Sequence, residues 1–413
     1  MTAPKETAAT NGRGVVRKSI MQGKSVRAKV ALAAAGGVLL VLGLVLGLAR
    51  GDGLKYFLHA YLTGYCFWLS ISLGAAFLVA MLHAARAGWA VTVRRVSEIL
   101  AANVPLLALL LLPVLVPVLL GVGSLYEWAS AENVRHDALL QHKWFYLNPA
   151  AFAARCLLYL VVWWWVSRFF LRQSVEQDSS GDPRLTLRME RFSGPALLLL
   201  AGTVTFAAFD LLMSLDPHWF STIYGLYFFS GAMVGGLAAI ILAAMGLQAW
   251  GLLEREITVE HYHDLGKLLF AFVFFWGYIA FSQYLLIWYG NVPEETGWYL
   301  VRQSGPWLGV SLGLVAGHLL IPFLGLLSRE AKRRKLLLGF WAAWMLLMHW
   351  IDLYWLVMPR LGTERLPLGP IDLCLSAGLG CLWLAGALGV AGANALVPLK
   401  DPRLPESLAF ENV

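Results

Sequence analysis

The sequence predicts an all-α polytopic membrane protein: about ten transmembrane helices in two four-helix bundles, with peripheral helices at either end. Three observations carry this. Of 413 residues, 59% are hydrophobic and 14% charged, with a mean hydropathy of +0.66, far too apolar for a soluble globular domain. About ten apolar runs reach the roughly 20 residues needed to cross a bilayer. Asp210-Leu211, five residues, Pro217 recurs as Asp352-Leu353, five residues, Pro359, and each copy closes a long apolar run.

The runs fall at 30–49, 56–85, 98–122, 149–171, 193–215, 219–250, 262–289, 305–328, 336–358 and 369–393. Residues 1–29 form a basic tail without a small-residue cleavage site, which reads as a cytoplasmic segment rather than a cleaved signal. The transmembrane domain covers 30–393, and 394–413 form a cytoplasmic C-terminal tail. The two copies of the Asp-Leu motif place bundle one at about 56–215 and bundle two at about 219–358. The loop Gly123–Asn148 has room only for a turn or a short surface helix.

Charge sets the orientation. Lys5, Arg13, Arg17, Lys18, Lys24, Arg27 and Lys29 share a side with Arg86, Arg94, Arg95, Arg168, Arg172, Arg184, Arg188 and Arg191, and with Arg329, Lys332, Arg333, Arg334 and Lys335. The opposite loops hold Arg50, Lys55, Arg135, Lys143, Arg302, Arg360 and Arg365. The positive-inside rule puts both termini in the cytoplasm. Trp128, Trp219, Trp288, Tyr289, Trp298 and Trp355 fall at outer span ends, as an interfacial aromatic belt does. The net charge of +7 reflects these loops and implies no nucleic-acid partner.

Two sets of polar residues interrupt the apolar pattern. The outer set is Asp210, Ser214, Asp216, His218, His349 and Asp352. Asp352 lies about 25 Å along a helix from Lys335. His349 and Asp352 share a helix face at a spacing of three, as Asp210 and Ser214 do at four. Intramembrane carboxylates are expensive and usually functional, and protons can pass among such groups. The bland reading is that the aspartates pin helix ends and that His218 sits among headgroups. The inner set is Glu260, His261, His263, Asp264 and Lys267 at one helix start. There the alternatives are a proton entry or a dipole-favoured acidic N-terminus with a snorkelling lysine. His318 stands alone near mid-span. A haem b between it and His349 or His83 is a minor alternative to an interhelical hydrogen bond. Arg155 reads as a snorkelling interfacial side chain.

Other chemistries are excluded. Cys66, Cys156, Cys374 and Cys381 form no CxxC pair. There is no haem c attachment motif, iron–sulfur run, P-loop or dinucleotide fingerprint.

Four blocks, Phe209–Gly225, Glu260–Phe270, Phe281–Thr296 and Met348–Pro359, together resemble the ActF subunit of bacterial alternative complex III, a quinol:electron-acceptor oxidoreductase. That family is similar to NrfD-like, polysulfide-reductase-type membrane subunits. The resemblance implies a non-catalytic respiratory subunit of the bacterial cytoplasmic membrane with no redox centre of its own. It implies three partners: an ActC-like quinol-binding membrane subunit, a multihaem cytochrome c and an iron–sulfur protein. Haem c and iron–sulfur clusters then belong to those partners. It also implies proton half-channels, carried here by Asp210, Asp216, His218, His261, His263, Asp264, Lys267, His349 and Asp352; His318 lies outside the matching blocks and joins such a path only by its place between the two ends. The residues also leave open a self-contained quinone-binding subunit, a secondary transporter and a structural scaffold. Pro105, Pro113 and Pro117 in the third span and Pro322 in the eighth form no symmetric pair of helix breaks, which disfavours the transporter.

Overall fold

A computed structural model describes residues 24–362 and 364–412. The first part of the basic tail, residues 1–23, lies outside the described residues. Among the described residues, ten helices are long and apolar enough to cross a membrane: α1 (Val26–Ala49), α2 (Lys55–Ala84), α3 (Gly88–Leu119), α4 (Pro149–Ser180), α5 (Pro183–Leu215), α6 (Tyr224–Ala249), α7 (Val259–Gly290), α8 (Pro306–Leu327), α9 (Lys335–Leu361) and α10 (Pro370–Ala393). No strand occurs among the described residues. The chain is an all-α multi-pass membrane protein.

Local chemistry sets the helix ends. Proline opens α4, α5, α8 and α10, where its missing N–H costs nothing. The Asn148 side chain accepts from the Ala151 N–H at 2.8 Å and caps α4. Asp182 caps α5 through the Arg184 N–H at 2.9 Å. Gly181, at φ +64°, makes the turn between them in a backbone region that favours glycine.

The helices run past the apolar segments in three places. The 172–192 segment, expected as a polar loop, continues α4 and starts α5, so α4 spans 32 residues, or about 48 Å. Polar side chains in water do not stop a helix whose backbone bonds are internal. α3 begins ten residues before its apolar run. Its first turns are buried among other elements and carry Arg94, Arg95 and Glu98, which are therefore not loop charges. Arg94 pairs with Glu98 at 3.2 Å and Asp401 at 2.6 Å; Arg95 pairs with Glu98 at 3.0 Å and Asp178 at 2.9 Å. The network joins α3 to the end of α4 and to the C-terminal segment. That segment is folded back rather than free: Asp401 and Ser407 are buried.

α2 packs on α3 and α5, and α4 on α3 and α5. α6 packs on α7 and α9, and α8 fills the space between α7 and α9. α1 lies against α10, and α10 against α2. The two groups of four meet along α2 and α6, where glycine permits near backbone contact. A Cβ on Gly74 would lie 2.0 Å from the Ala232 carbonyl oxygen. The aromatic belt is only partly a surface feature. Trp288 and Tyr289 are exposed, whereas Trp128, Trp219, Trp298 and Trp355 are buried within the protein.

Candidate functional site

α8 departs from α-helical geometry at the point where it carries its histidine. Val315–Leu320 is a π-helical stretch with His318 inside it. Pro322 lacks the N–H that would bond to the His318 carbonyl, so the ordinary ladder cannot run through this turn. The freed Gly317 carbonyl accepts from Trp344 Nε1 at 2.7 Å. Such bulges are frequent at functional sites.

The bulge aims His318 at α9, so it does not stand alone. Ligating atoms of His318, His349 and Asp352 all lie within 4.8 Å of one another, and all three residues are buried. Gly231 and Gly235, one turn apart on α6, make the groove for the His349 ring. A Cβ on Gly231 would lie 2.9 Å from His349 Cε1, and one on Gly235 2.8 Å from Cδ2. Trp276 of α7 stacks on His318 with ring centroids 3.8 Å apart. Asp352 accepts two hydrogen bonds, from the Tyr227 hydroxyl to Oδ1 and from Trp276 Nε1 to Oδ2 at 3.2 Å.

The hydrogen bonds assign the His349 tautomer. The Ser70 hydroxyl donates to the Phe67 carbonyl at 2.7 Å, so its oxygen accepts from His349 Nε2 at 2.8 Å. A neutral His349 then presents a bare lone pair at Nδ1. That atom and both ring nitrogens of His318 are buried without a hydrogen-bond partner. Each orphan costs about 1–3 kcal/mol. The cluster therefore holds more acceptors than donors. One added proton turns a facing pair of acceptors into a hydrogen bond. Two imidazoles and a carboxylate are also a donor set that a divalent transition metal takes. A haem b between His318 and His349 fits poorly, because an Asp352 oxygen lies within 4.8 Å of the ligating nitrogens of both rings.

The other expected residues are distributed differently. Asp210 does not join His349 and Asp352 in one outer group. Its carboxylate takes a bidentate pair from Arg155, at 2.9 Å for each bond, and a 2.6 Å bond from the Tyr159 hydroxyl. Arg155 is therefore a buried-pair partner, not a free snorkelling side chain. Ser214 Oγ donates to the Asp210 carbonyl at 2.5 Å. Asp216 lies 3.7 Å from Arg360. His218 bonds at 2.7 Å to Asp137, in the segment between α3 and α4. The Leu140 N–H above all, and the His218 ring, hold the Asp137 carboxyl below its ordinary value.

The residues expected at the start of the seventh span form a capped and covered start of α7. His261 Nδ1 accepts from the Thr258 N–H at 3.1 Å, and its Nε2 meets Ser407 Oγ at 3.2 Å. Glu260 pairs with Arg333. Asp264 pairs with Lys267 and accepts from Asn412 Nδ2 at 3.0 Å. His263 Nδ1 is 3.9 Å from Asp264 and makes no hydrogen bond. Between this end and Trp276, the buried face of α7 is Leu265, Gly266, Leu269 and Val273.

Four contributors escaped the sequence reading: Ser70, Tyr227, Trp276 and the glycine pair. The Gly231-x-x-x-Gly235 spacing was the available signal. Tyr227 and Trp276, the two donors to Asp352, also line a cavity of about 640 Å³ between α7 and α8. Compared with models of known protein families and with curated protein sequences, the chain matches none.

Proposed function

We propose that this chain is a membrane subunit of a respiratory quinol:electron-acceptor oxidoreductase resembling alternative complex III, without a redox centre, and that it exchanges protons at the His318–His349–Asp352 cluster. The cluster carries the reading. It is a set of unpaired imidazole nitrogens facing a carboxylate, buried in a bundle, in which one added proton makes a new hydrogen bond. Two blocks of the family resemblance support it from a separate direction. Met348–Pro359 supplies His349 and Asp352, and Phe281–Thr296 contributes to the cavity beside them. The proton enters or leaves through the Tyr227 hydroxyl, on the side of the 291–305 loop. Electrons pass through haem c and iron–sulfur clusters on partner subunits, and quinol binds an ActC-like neighbour.

The membrane is the bacterial cytoplasmic membrane, with both termini inside. The face that carries the α4–α5 and α8–α9 turns is rich in arginine and lysine and receives both ends of the described chain. Reporter fusions after Lys143 and after Glu294 are expected to read as external. Cytoplasmic signals from both would reverse the orientation.

The complex is tested by tagging the chain in its native membrane and purifying under mild detergent. A multihaem cytochrome c, an iron–sulfur protein and a second polytopic subunit are expected to co-purify in fixed ratio. A chain that purifies alone, with full thermal stability, would remove the respiratory reading.

A further inference from the structure

The cavity between α7 and α8 has the length, lining and charge of a site for one lipid chain and one anion. Gly277, Ala280 and Phe281 of α7 form one wall; Leu308, Leu312 and Val315 of α8 form the other. Phe281, Leu312 and Val315 are all more than half exposed, so the cavity opens sideways toward lipid rather than toward water. Its α8 wall runs from Leu308 to Leu319, twelve residues spanning about 16 Å, close to one leaflet of a roughly 30 Å hydrocarbon core.

The polar end is at the 291–305 loop, and it holds a buried cation. Arg302 is 3% exposed. It donates from Nε to the Trp355 carbonyl at 3.2 Å, from Nη1 to the Trp298 carbonyl at 3.0 Å and from Nη2 to the Leu356 carbonyl at 2.8 Å. Its guanidinium stacks 3.3 Å from the Trp298 ring centroid. No carboxylate pairs with it among the described residues. Burial pulls the guanidinium down to about 9, which leaves it a cation at neutral pH. Three carbonyls use three of its five N–H groups. The charge is thus short of an anion, and two donors remain, on the rim of a lipid-facing cavity.

We propose that this cavity binds an anionic phospholipid of the leaflet on the side of the 291–305 loop. Its phosphodiester lies against Arg302, beside Gln303 and Ser311, and one acyl chain lies along α8 from Leu308 to Leu319. The inference is independent of the respiratory reading, because it rests on an uncompensated charge and a leaflet-long groove. A neutral isoprenoid quinone would fill the same groove without supplying the missing charge.

The test uses the full-length chain, stripped of lipid in detergent and titrated in native mass spectrometry with phosphatidylglycerol or phosphatidylcholine of matched acyl chains. Phosphatidylglycerol is expected to bind about tenfold more tightly, the effect of one charge-assisted contact. Arg302→Gln is expected to erase that preference. Because Arg302 also holds the carbonyls at the end of α9, a second variant leaves the guanidinium in place. Ala280→Trp fills the groove, and it is expected to abolish phosphatidylglycerol binding with the melting temperature unchanged. Equal affinity for the two lipids in the unmodified chain would overturn the proposal. So would undiminished binding by Ala280→Trp, or displacement of phosphatidylglycerol by equimolar ubiquinone.

Discussion

Replacing Arg155 with alanine is expected to destabilise the protein by about 3–5 kcal/mol, the usual cost of leaving one partner of a buried ion pair uncompensated. Asp210 has no exposed side-chain surface, and Arg155 supplies two of the three hydrogen bonds to its carboxylate. Without the guanidinium, the Tyr159 hydroxyl is the one side-chain donor left. Asp210→Asn is expected to cost less, because Arg155 keeps its bond to the Tyr146 carbonyl and remains partly exposed at 19%. The double variant Arg155→Met/Asp210→Asn is expected to be more stable than Arg155→Ala alone, since it removes the unpaired charge. Unfolding of the purified chain in graded mixed micelles measures all three. An Arg155→Ala protein as stable as the unmodified chain would mean that the pair contributes little and that Asp210 is satisfied by water.

The contrast between Asp210 and Asp352 marks where the sequence ceased to be readable. The two residues open the same short motif, and each lies near the end of the fourth helix of its group of four. Asp210 is neutralised by Arg155 from the preceding helix, 55 positions earlier in the chain. Asp352 has hydroxyl and indole donors from two other helices and no cation. Motif and hydropathy report the position of an aspartate along its helix. They do not report what faces it, because that depends on the rotation of neighbouring helices.

The same division holds elsewhere. The ten spans were legible because hydrocarbon thickness demands a run of apolar residues. His349 and Asp352 were legible as a pair because a spacing of three puts them on one helix face. The convergence of His318 was hidden, since it requires the bulge at Val315–Leu320 and a groove cut by two glycines on another helix. Arg94, Arg95 and Arg302 read as loop charges because a loop is the usual place for arginine. Their burial follows from carboxylates and carbonyls far away in sequence. Polar helix ends were hidden for a simpler reason: the helical extensions of α4 and α5 carry no apolar periodicity that distinguishes them from loop.

Asp352→Asn is expected to reduce proton exchange sharply while leaving the fold intact. Asparagine matches the shape of aspartate. Its carbonyl oxygen can accept from Tyr227 or Trp276, and its amide can donate toward His349 Nδ1, so it satisfies the orphaned acceptor that a proton would otherwise satisfy. What it cannot do is take up or release that proton. If the cluster is an obligatory station, the proton step should slow by about 10²–10⁴-fold, the range for loss of a positioned acid or base. His349→Gln is expected to act in the same direction by removing the Nδ1 acceptor. Asp264→Asn, at the opposite end of α7, tests whether the route continues across the apolar stretch of Leu265, Leu269 and Val273. The measurement is proton uptake and release by the complex in sealed vesicles during quinol oxidation, read with a trapped pH dye. Electron transfer to the acceptor is followed in parallel: on the proposed reading the redox centres belong to partner subunits and should keep turning over in uncoupled membranes. If Asp352→Asn and His349→Gln both assemble and keep the full proton stoichiometry, the cluster is a helix pin. The bulge in α8 would then serve packing alone.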